Sequence, residues 1–131
     1  MEAAIVEIAE AEPAISAAYL FGSLARGEAG ALSDVDIGLL VGDRFADRAV
    51  CDRTMDALGR RLRTSRIDVV SLEAAPMPLR YRVIRDGMLV VCRDAALVER
   101  FVAETVRHYL DFKPLRDRAF QVMRAAILEG P

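Results

Sequence analysis

Apolar and polar residues form two kinds of block along the chain, and these predict alternating helices and strands. Apolar residues recur at helical spacing among charged ones in three segments, where we expect amphipathic helices: residues 2–12, 46–63 and a long stretch beginning near 95. We expect a further short helix over 76–85, with prolines at its start and Gly87 after its end. Four short, mostly apolar runs are typical of strands: residues 16–21, 35–41, 66–72 and 88–92.

The order of these segments predicts the fold class. Between the first two strands we expect a short helical turn over 24–26 and a flexible loop over 27–33, which contains two glycines. The chain then alternates strand and helix until it ends in helical segments. This order predicts an α/β or α+β domain with a mostly buried central sheet.

The C-terminal part, residues 95–131, is predicted to be a helical tail in two parts. Pro114 should break or kink the helix, after which apolar residues continue at helical spacing to the end. Such a tail is longer than is needed to cover a small sheet. Its apolar face is therefore a candidate surface for packing on a partner protein or on a second copy, with cover of the sheet as the alternative for its first half.

Length and charge narrow the class of protein. At 131 residues and 14.4 kDa the chain is expected to form one domain over 1–131. Its 18 basic and 20 acidic residues give a net charge of −2, which provides no large positive field to attract nucleic acid phosphates. A nucleic acid substrate is therefore disfavoured.

The N-terminus and the cysteines indicate a cytoplasmic location. Acidic Glu2 and Glu7 stand where a signal peptide would be basic, and no apolar run approaches the roughly 20 residues that span a bilayer. Cys51 and Cys92 lie far apart without metal-ligand spacing. We expect both to be small buried side chains in a reducing compartment.

Three aspartates predict a metal site. Asp34 and Asp36 are two residues apart, so on a strand they share one face, where two carboxylates without a cation would repel each other. Mg²⁺ prefers such oxygen ligands. Asp68 interrupts another apolar strand, where a buried unpaired charge would be costly. If the two strands are neighbours, the carboxylates converge as in a two-metal site for phosphoryl or nucleotidyl transfer.

The Gly22-Ser23 pair predicts a phosphate-binding turn beside these acids. Glycine allows the backbone to approach a phosphate closely, and serine supplies a hydroxyl and an amide at the start of the predicted helical turn. A triphosphate would then lie between this turn and the metal ions. Taken singly, each aspartate also has an ordinary interpretation, as a turn cap, a solvated strand end or a surface residue.

Other motif classes fit these residues poorly. A serine hydrolase would need a GxSxG elbow and a nearby histidine, but the single His108 lies far along the chain in a predicted helix. A P-loop fails because Glu28 and Ala29 follow Gly27 where lysine and a hydroxyl are required. An EF-hand fails because apolar residues occupy its ligand positions, namely 39–41.

The sequence GSLARG at residues 22–27, followed by SDVD at 33–36, resembles the GSxARG...SDxDxxV signature of DNA polymerase beta-like nucleotidyltransferases. The short chain is similar to the minimal nucleotidyltransferase (MNT) branch, the MntA-type antitoxins of HEPN/MNT toxin–antitoxin pairs. The segment IDVV at 67–70 also resembles that branch. The resemblance implies a polymerase beta-like fold, with a small mixed central sheet flanked by helices.

The resemblance also implies roles for single residues. Gly22 and Ser23 would bind nucleotide phosphates, while Asp34, Asp36 and Asp68 would hold two Mg²⁺ ions and catalyse transfer. Members of the branch transfer AMP from ATP to a tyrosine of a HEPN-type RNase toxin and so silence it. Arg26 is a candidate nucleotide contact, with a surface salt bridge as the alternative.

Two other functions remain open at this point. The chain could transfer a nucleotide to a small molecule such as an aminoglycoside, although such enzymes usually bring an additional substrate domain. It could also neutralise a toxin by binding alone. Arg80, Arg82 and Arg85 are interpreted as a solvated helix face, with contact to nucleotide or toxin as the alternative.

Overall fold

The computed structural model describes residues 2–22, 34–43 and 45–111, together with the isolated positions 118, 121, 124 and 125. Helices and strands alternate along these residues, with the following bounds: α1 (Glu2–Ala11), β1 (Ala17–Phe21), β2 (Val35–Leu40), α2 (Asp47–Leu62), β3 (Ile67–Ser71), α3 (Met77–Asp86), β4 (Met88–Cys92) and α4 (Ala95–Asp111). Each element was predicted, and apart from the C-terminal end of α4, the ends differ by one residue at most. The predicted turn over 24–26 and the break at Pro114 lie outside the described residues.

The strands form one mixed sheet in the order β3-β2-β1-β4. β1 pairs antiparallel with both β2 and β4, whereas β2 and β3 are parallel. Parallel neighbours need a long crossover connection, and α2 provides it. The predicted α/β class and mixed sheet are thus confirmed.

Helices cover both faces of this sheet. On the α1–α2 face, the alternate residues of β2 pack in one apolar cluster with α1 and α2, through side chains such as Ile5 and Leu58. On the α3–α4 face, Tyr19 and Phe21 of β1 pack in a second cluster with Val83 of α3 and Phe101 of α4. The domain is therefore a three-layer α/β/α arrangement.

Local sequence signals explain where the last two helices begin. Pro76, in an extended conformation, precedes α3, and Pro78 lies in its first turn, where a proline costs no hydrogen bond. Asp94 caps α4 as predicted, because its Oδ1 accepts a hydrogen bond from the backbone N–H of Leu97 at 3.1 Å. Phe101 and Thr105 of α4 are buried, and Phe101 packs with Tyr19 of β1. The partner surface predicted for the tail over 95–131 and the single-domain assignment for 1–131 both stay predictions.

The two cysteines differ in environment. Cys51 of α2 is buried in the α1–α2 cluster, as predicted. Cys92 is exposed, so the prediction for it was wrong: it ends β4, which is an edge strand with much of its length open to solvent. Within the described ranges no helix is long and apolar enough to cross a membrane.

Candidate active site

Parallel pairing of β2 with β3 places Asp36 beside Asp68. The two residues are direct register partners, so their side chains share the α3–α4 face on strands that lie about 4.8 Å apart. The condition set by the sequence, that these strands be neighbours, is met. One premise was wrong, however. Asp68 is exposed on an edge strand rather than buried, so its charge stays solvated without a partner ion.

Asp34, which directly precedes β2, lies at the outer rim of this acidic pair. Its Oδ1 is 3.2 Å from Nε of Arg66, and the two side chains are 63% and 49% exposed. Solvent weakens an ion pair of this kind. The backbone amide of Val35 also donates to the carbonyl of Arg66 at 2.8 Å, which fixes the start of β2 against the residue before β3. The third carboxylate is therefore near the other two but engaged by an arginine.

Gly22 brings the predicted phosphate-binding turn into contact with the acids. It follows β1, whose last residue, Phe21, pairs with Asp36, and it has a φ of 79°, which favours glycine. A Cβ atom on Gly22 would lie 2.3 Å from Oδ2 of Asp36. Any side chain here would displace the carboxylate. Ser23 and Arg26 lie outside the described residues, so their assigned roles stay predictions.

These residues open into one cavity of about 440 Å³. This volume lies within the range of about 300–1,000 Å³ that is usual for small-molecule sites. Its lining comes from the ends of β1, β2 and β3 and from one side of α3: Phe21, Gly22, Asp34, Asp36, Asp68, Val70, Leu79, Arg82 and Asp86. The structure thus places every predicted aspartate at a single cavity.

Helix α3 supplies a wall that sequence reasoning did not assign to the site. Leu79, Arg82 and Asp86 line the cavity at positions i, i+3 and i+7, the spacing of one helical face. That spacing was readable in the sequence. The side of α3 that turns toward the acids was not, because apolar residues occur all around this helix.

The three arginines of α3 differ from one another. Arg82 and Arg85 are exposed as predicted, but Arg80 is half-buried, so the prediction for it was wrong. Nε of Arg80 donates to the carbonyl of Ala75 at 2.9 Å, and Nη2 of Arg80 donates to the carbonyl of Glu73. Arg85 binds Asp86 through two hydrogen bonds of 3.0 and 2.7 Å, and this bonding raises the pKa of Arg85. Arg80 is thus a structural residue that closes the loop before α3.

The donor set suits a Mg²⁺ ion that takes only part of its ligands from the protein. In the described part of the chain no group of three or more histidine, cysteine, aspartate or glutamate side chains is arranged to hold a metal ion. Mg²⁺ does not require such a group, because it is usually bound by one or two carboxylates together with waters and substrate phosphates. Asp36 and Asp68 present two adjacent carboxylates of this kind.

Comparison with known proteins agrees with this geometry. The family described as "Polymerase beta, Nucleotidyltransferase" matches residues 3–96. A chain from the crystal structure of a toxin–antitoxin with AMP-PNP is 25% identical, with a TM-score of 0.66, and the match covers 98% of this chain and 95% of that one. A chain from a mutant of the toxin–antitoxin MntA-HpeT is also 25% identical, with a TM-score of 0.64 and coverage of 98% and 95%.

A third structure shows the same fold. It contains a tri-AMPylated Shewanella oneidensis HEPN toxin in complex with MNT antitoxin, and its matching chain is 24% identical, with a TM-score of 0.57 and coverage of 98% and 92%. No curated protein matches the chain. Since the family match spans residues 3–96, well over half of the sequence, this chain belongs to the polymerase beta nucleotidyltransferase family.

Proposed function

We propose that this protein is an antitoxin that transfers AMP from ATP to a tyrosine of a cognate HEPN-type RNase toxin, with Mg²⁺ as cofactor. The observation that carries the proposal is the register of β2 and β3, which sets Asp36 beside Asp68 in a cavity bordered by Gly22. Similarity to a chain of a toxin–antitoxin with AMP-PNP supports both the nucleotide and the class of partner. The complex with a tri-AMPylated toxin illustrates the product that such a transfer would give.

The proposed reaction forms a bond between the tyrosine oxygen and the α-phosphorus of ATP. The bond between the α-phosphorus and the oxygen that it shares with the β-phosphorus breaks, and pyrophosphate leaves. We assign the carboxylate of Asp68 to accept the proton of the tyrosine hydroxyl. Asp34, Asp36 and Asp68 would hold Mg²⁺, which when bound stabilises negative charge on the transferred phosphate and on the leaving group.

Gly22, Ser23 and Arg26 complete the proposed site. Gly22, which has no side chain, leaves its backbone open to a phosphate beside Asp36. We assign Ser23 to the terminal phosphates and Arg26 to the nucleotide, on the resemblance given above. The proposed toxin surface is the apolar face of the tail over 95–131, in a hetero-oligomer with the toxin.

The test is label transfer from ATP carrying a labelled α-phosphate, in the presence of Mg²⁺ and the cognate HEPN-type toxin. We expect label on the toxin with the wild-type protein, and its loss in Asp36→Asn, in Asp68→Asn and after chelation of Mg²⁺. Asp56→Asn is the matched control, because Asp56 is an exposed aspartate of α2 outside the cavity lining. Label transfer that persists in both site variants would refute the assignment.

The same assay separates the two alternative functions. A toxin that is neutralised equally by wild-type protein and by Asp36→Asn, without label transfer, would indicate an antitoxin that acts by binding. Label that appears on an added aminoglycoside but not on the toxin would indicate a small-molecule nucleotidyltransferase. Either result would overturn the proposed acceptor.

A further inference from the structure

Arg82 is the arginine of α3 that has no binding partner within the described structure. Arg80 is bonded to backbone carbonyls and Arg85 to Asp86, as described above. Arg82 forms no hydrogen bond or ion pair with any described residue, although its side chain borders the acidic cavity. A guanidinium that lines a cavity with carboxylates and binds none of them is available to another anion.

The charge balance of the cavity indicates which anion this is. Four carboxylates line it, from Asp34, Asp36, Asp68 and Asp86. Arg66 and Arg85 pair with Asp34 and Asp86 from outside the lining, and among the described lining residues Arg82 has the only basic side chain. Without compensation, this lining would repel a polyphosphate. Metal ions offset part of the repulsion, and an arginine on the facing helix offsets more, because its planar guanidinium can bind phosphate oxygens in a bidentate manner.

The position of Arg82 on α3 places it opposite the strands that carry the acids. Leu79, one turn earlier, lines the cavity together with Val70 of β3. After the end of α3, Gly87 lies close to the other side of the site, since its Cβ position is 3.3 Å from the carbonyl oxygen of Leu20 in β1. Arg82 therefore lies along a helix that spans the site between β3 and β1.

We propose that Arg82 binds the phosphate chain of the nucleotide substrate and makes the site prefer a triphosphate to a monophosphate. The inference rests on the proposed function in one respect, namely that this cavity takes a nucleotide. It adds a substrate-binding residue outside the glycine turn and the aspartates.

The experiment measures binding of AMP-PNP and of AMP by calorimetry in the presence of Mg²⁺, for wild-type protein, Arg82→Ala and Arg82→Lys. We expect Arg82→Ala to weaken AMP-PNP binding by about 10- to 100-fold, the usual range for losing a hydrogen bond to a charged group. AMP binding should change by no more than about twofold, which lies within the range of a surface substitution. Arg82→Lys should recover part of the loss, because it keeps the charge but not the fork of donors.

Arg107→Ala is the matched control, since Arg107 is an exposed arginine of α4 outside the cavity lining. It reports how far removal of one positive charge weakens anion binding at a distance. Thermal unfolding of each variant should show an unchanged midpoint, because Arg82 is exposed and forms no hydrogen bond or ion pair with a described residue.

Distinct results would overturn distinct claims. Unchanged AMP-PNP binding by Arg82→Ala, or equal losses for AMP-PNP and AMP, would overturn the role of Arg82 while the proposed function stands. Normal AMP-PNP binding with slower transfer to the toxin would place Arg82 at the acceptor and also overturn the phosphate assignment. Failure of the wild-type protein to bind AMP-PNP would overturn the proposed function, and this inference with it.

Discussion

The two faces of strand β2 have different chemical characters, although they alternate residue by residue. Toward α1 and α2 the strand presents side chains that are at most 2% exposed: Val35, Ile37 and Leu39. Toward α3 and α4 it begins with half-buried Asp36, continues with Gly38 and ends with buried Leu40. Because strand side chains alternate between faces, one short segment anchors the core and also presents a carboxylate. Substitution of one residue should therefore change the free energy of unfolding, whereas substitution of its neighbour should change nucleotide transfer.

The largest contrast should come from Ile37→Ala and Asp36→Asn. Ile37 is fully buried, so its truncation leaves a cavity, and we expect the free energy of unfolding to fall by about 2–5 kcal/mol. Asp36→Asn keeps the side-chain shape, so the protein should stay folded while transfer to the toxin falls at least about 100-fold. Chemical denaturation and the label-transfer assay measure the two effects. Equal destabilisation by both variants would contradict the division between the faces.

The cysteines extend the comparison from the packed α1–α2 face to the open edge of the sheet. Burial raises the pKa of the Cys51 thiol to about 11, with Asp47 as a further cause, whereas Cys92 is exposed. Only the thiolate is reactive, so at about pH 8 iodoacetamide should alkylate Cys51 at least about 100-fold more slowly than Cys92. Mass spectrometry of the folded protein measures both rates, and unfolding in urea should make them equal. Rapid alkylation of Cys51 in folded protein would show that this face opens to solvent.

Gly38 tests whether the α3–α4 face is packed beyond its acidic end. A Cβ atom on Gly38 would lie 2.7 Å from Cδ2 of Leu72, whose side chain is fully buried. We expect Gly38→Ala to lower the free energy of unfolding by about 1–3 kcal/mol, as is usual for overpacking. Leu72→Ala, introduced together with Gly38→Ala, should relieve the clash, so the double variant should lose less stability than the sum of the two single variants. Strict additivity in denaturation experiments would contradict this contact.

The sequence was most informative where the pattern itself defines the geometry. Apolar runs located all four strands, and the spacing of Asp34 and Asp36 predicted that the two acids lie close together, as they do at the start of β2. The presence of a third acid was readable too. Its pairing with Asp36 requires that β2 and β3 be parallel neighbours in register. From the sequence alone, this arrangement could only be assumed.

The sequence was least informative about orientation and about edges. Arg80, Arg82 and Arg85 look alike in the sequence, but in the fold one binds backbone carbonyls, one lines the cavity and one binds the neighbouring Asp86. Cys92 lies in an apolar run that resembles the other strands. It is exposed because β4 has a neighbour on one side only, and strand order is a property of the whole fold.

The smallest expected effect on stability concerns the ion pair at the rim of the acidic site. Asp34 and Arg66 are both about half exposed or more, so removing the pair in Arg66→Ala should change the free energy of unfolding by less than about 1 kcal/mol. High salt should abolish even this change, because exposed charges are screened within a few ångströms near 1 M ionic strength. Denaturation at low and high salt measures it.

Arg66→Ala should also change how much Mg²⁺ the site requires. Arg66 neutralises a carboxylate that we propose as a metal ligand, so Arg66→Ala should lower the Mg²⁺ concentration for half-maximal transfer, whereas Arg66→Lys should leave it nearly unchanged. A higher Mg²⁺ requirement in Arg66→Ala would mean that the arginine orients Asp34 for the metal rather than competing with it. The ion pair at the rim of the site would then have a structural role, as Ile37 does in the core.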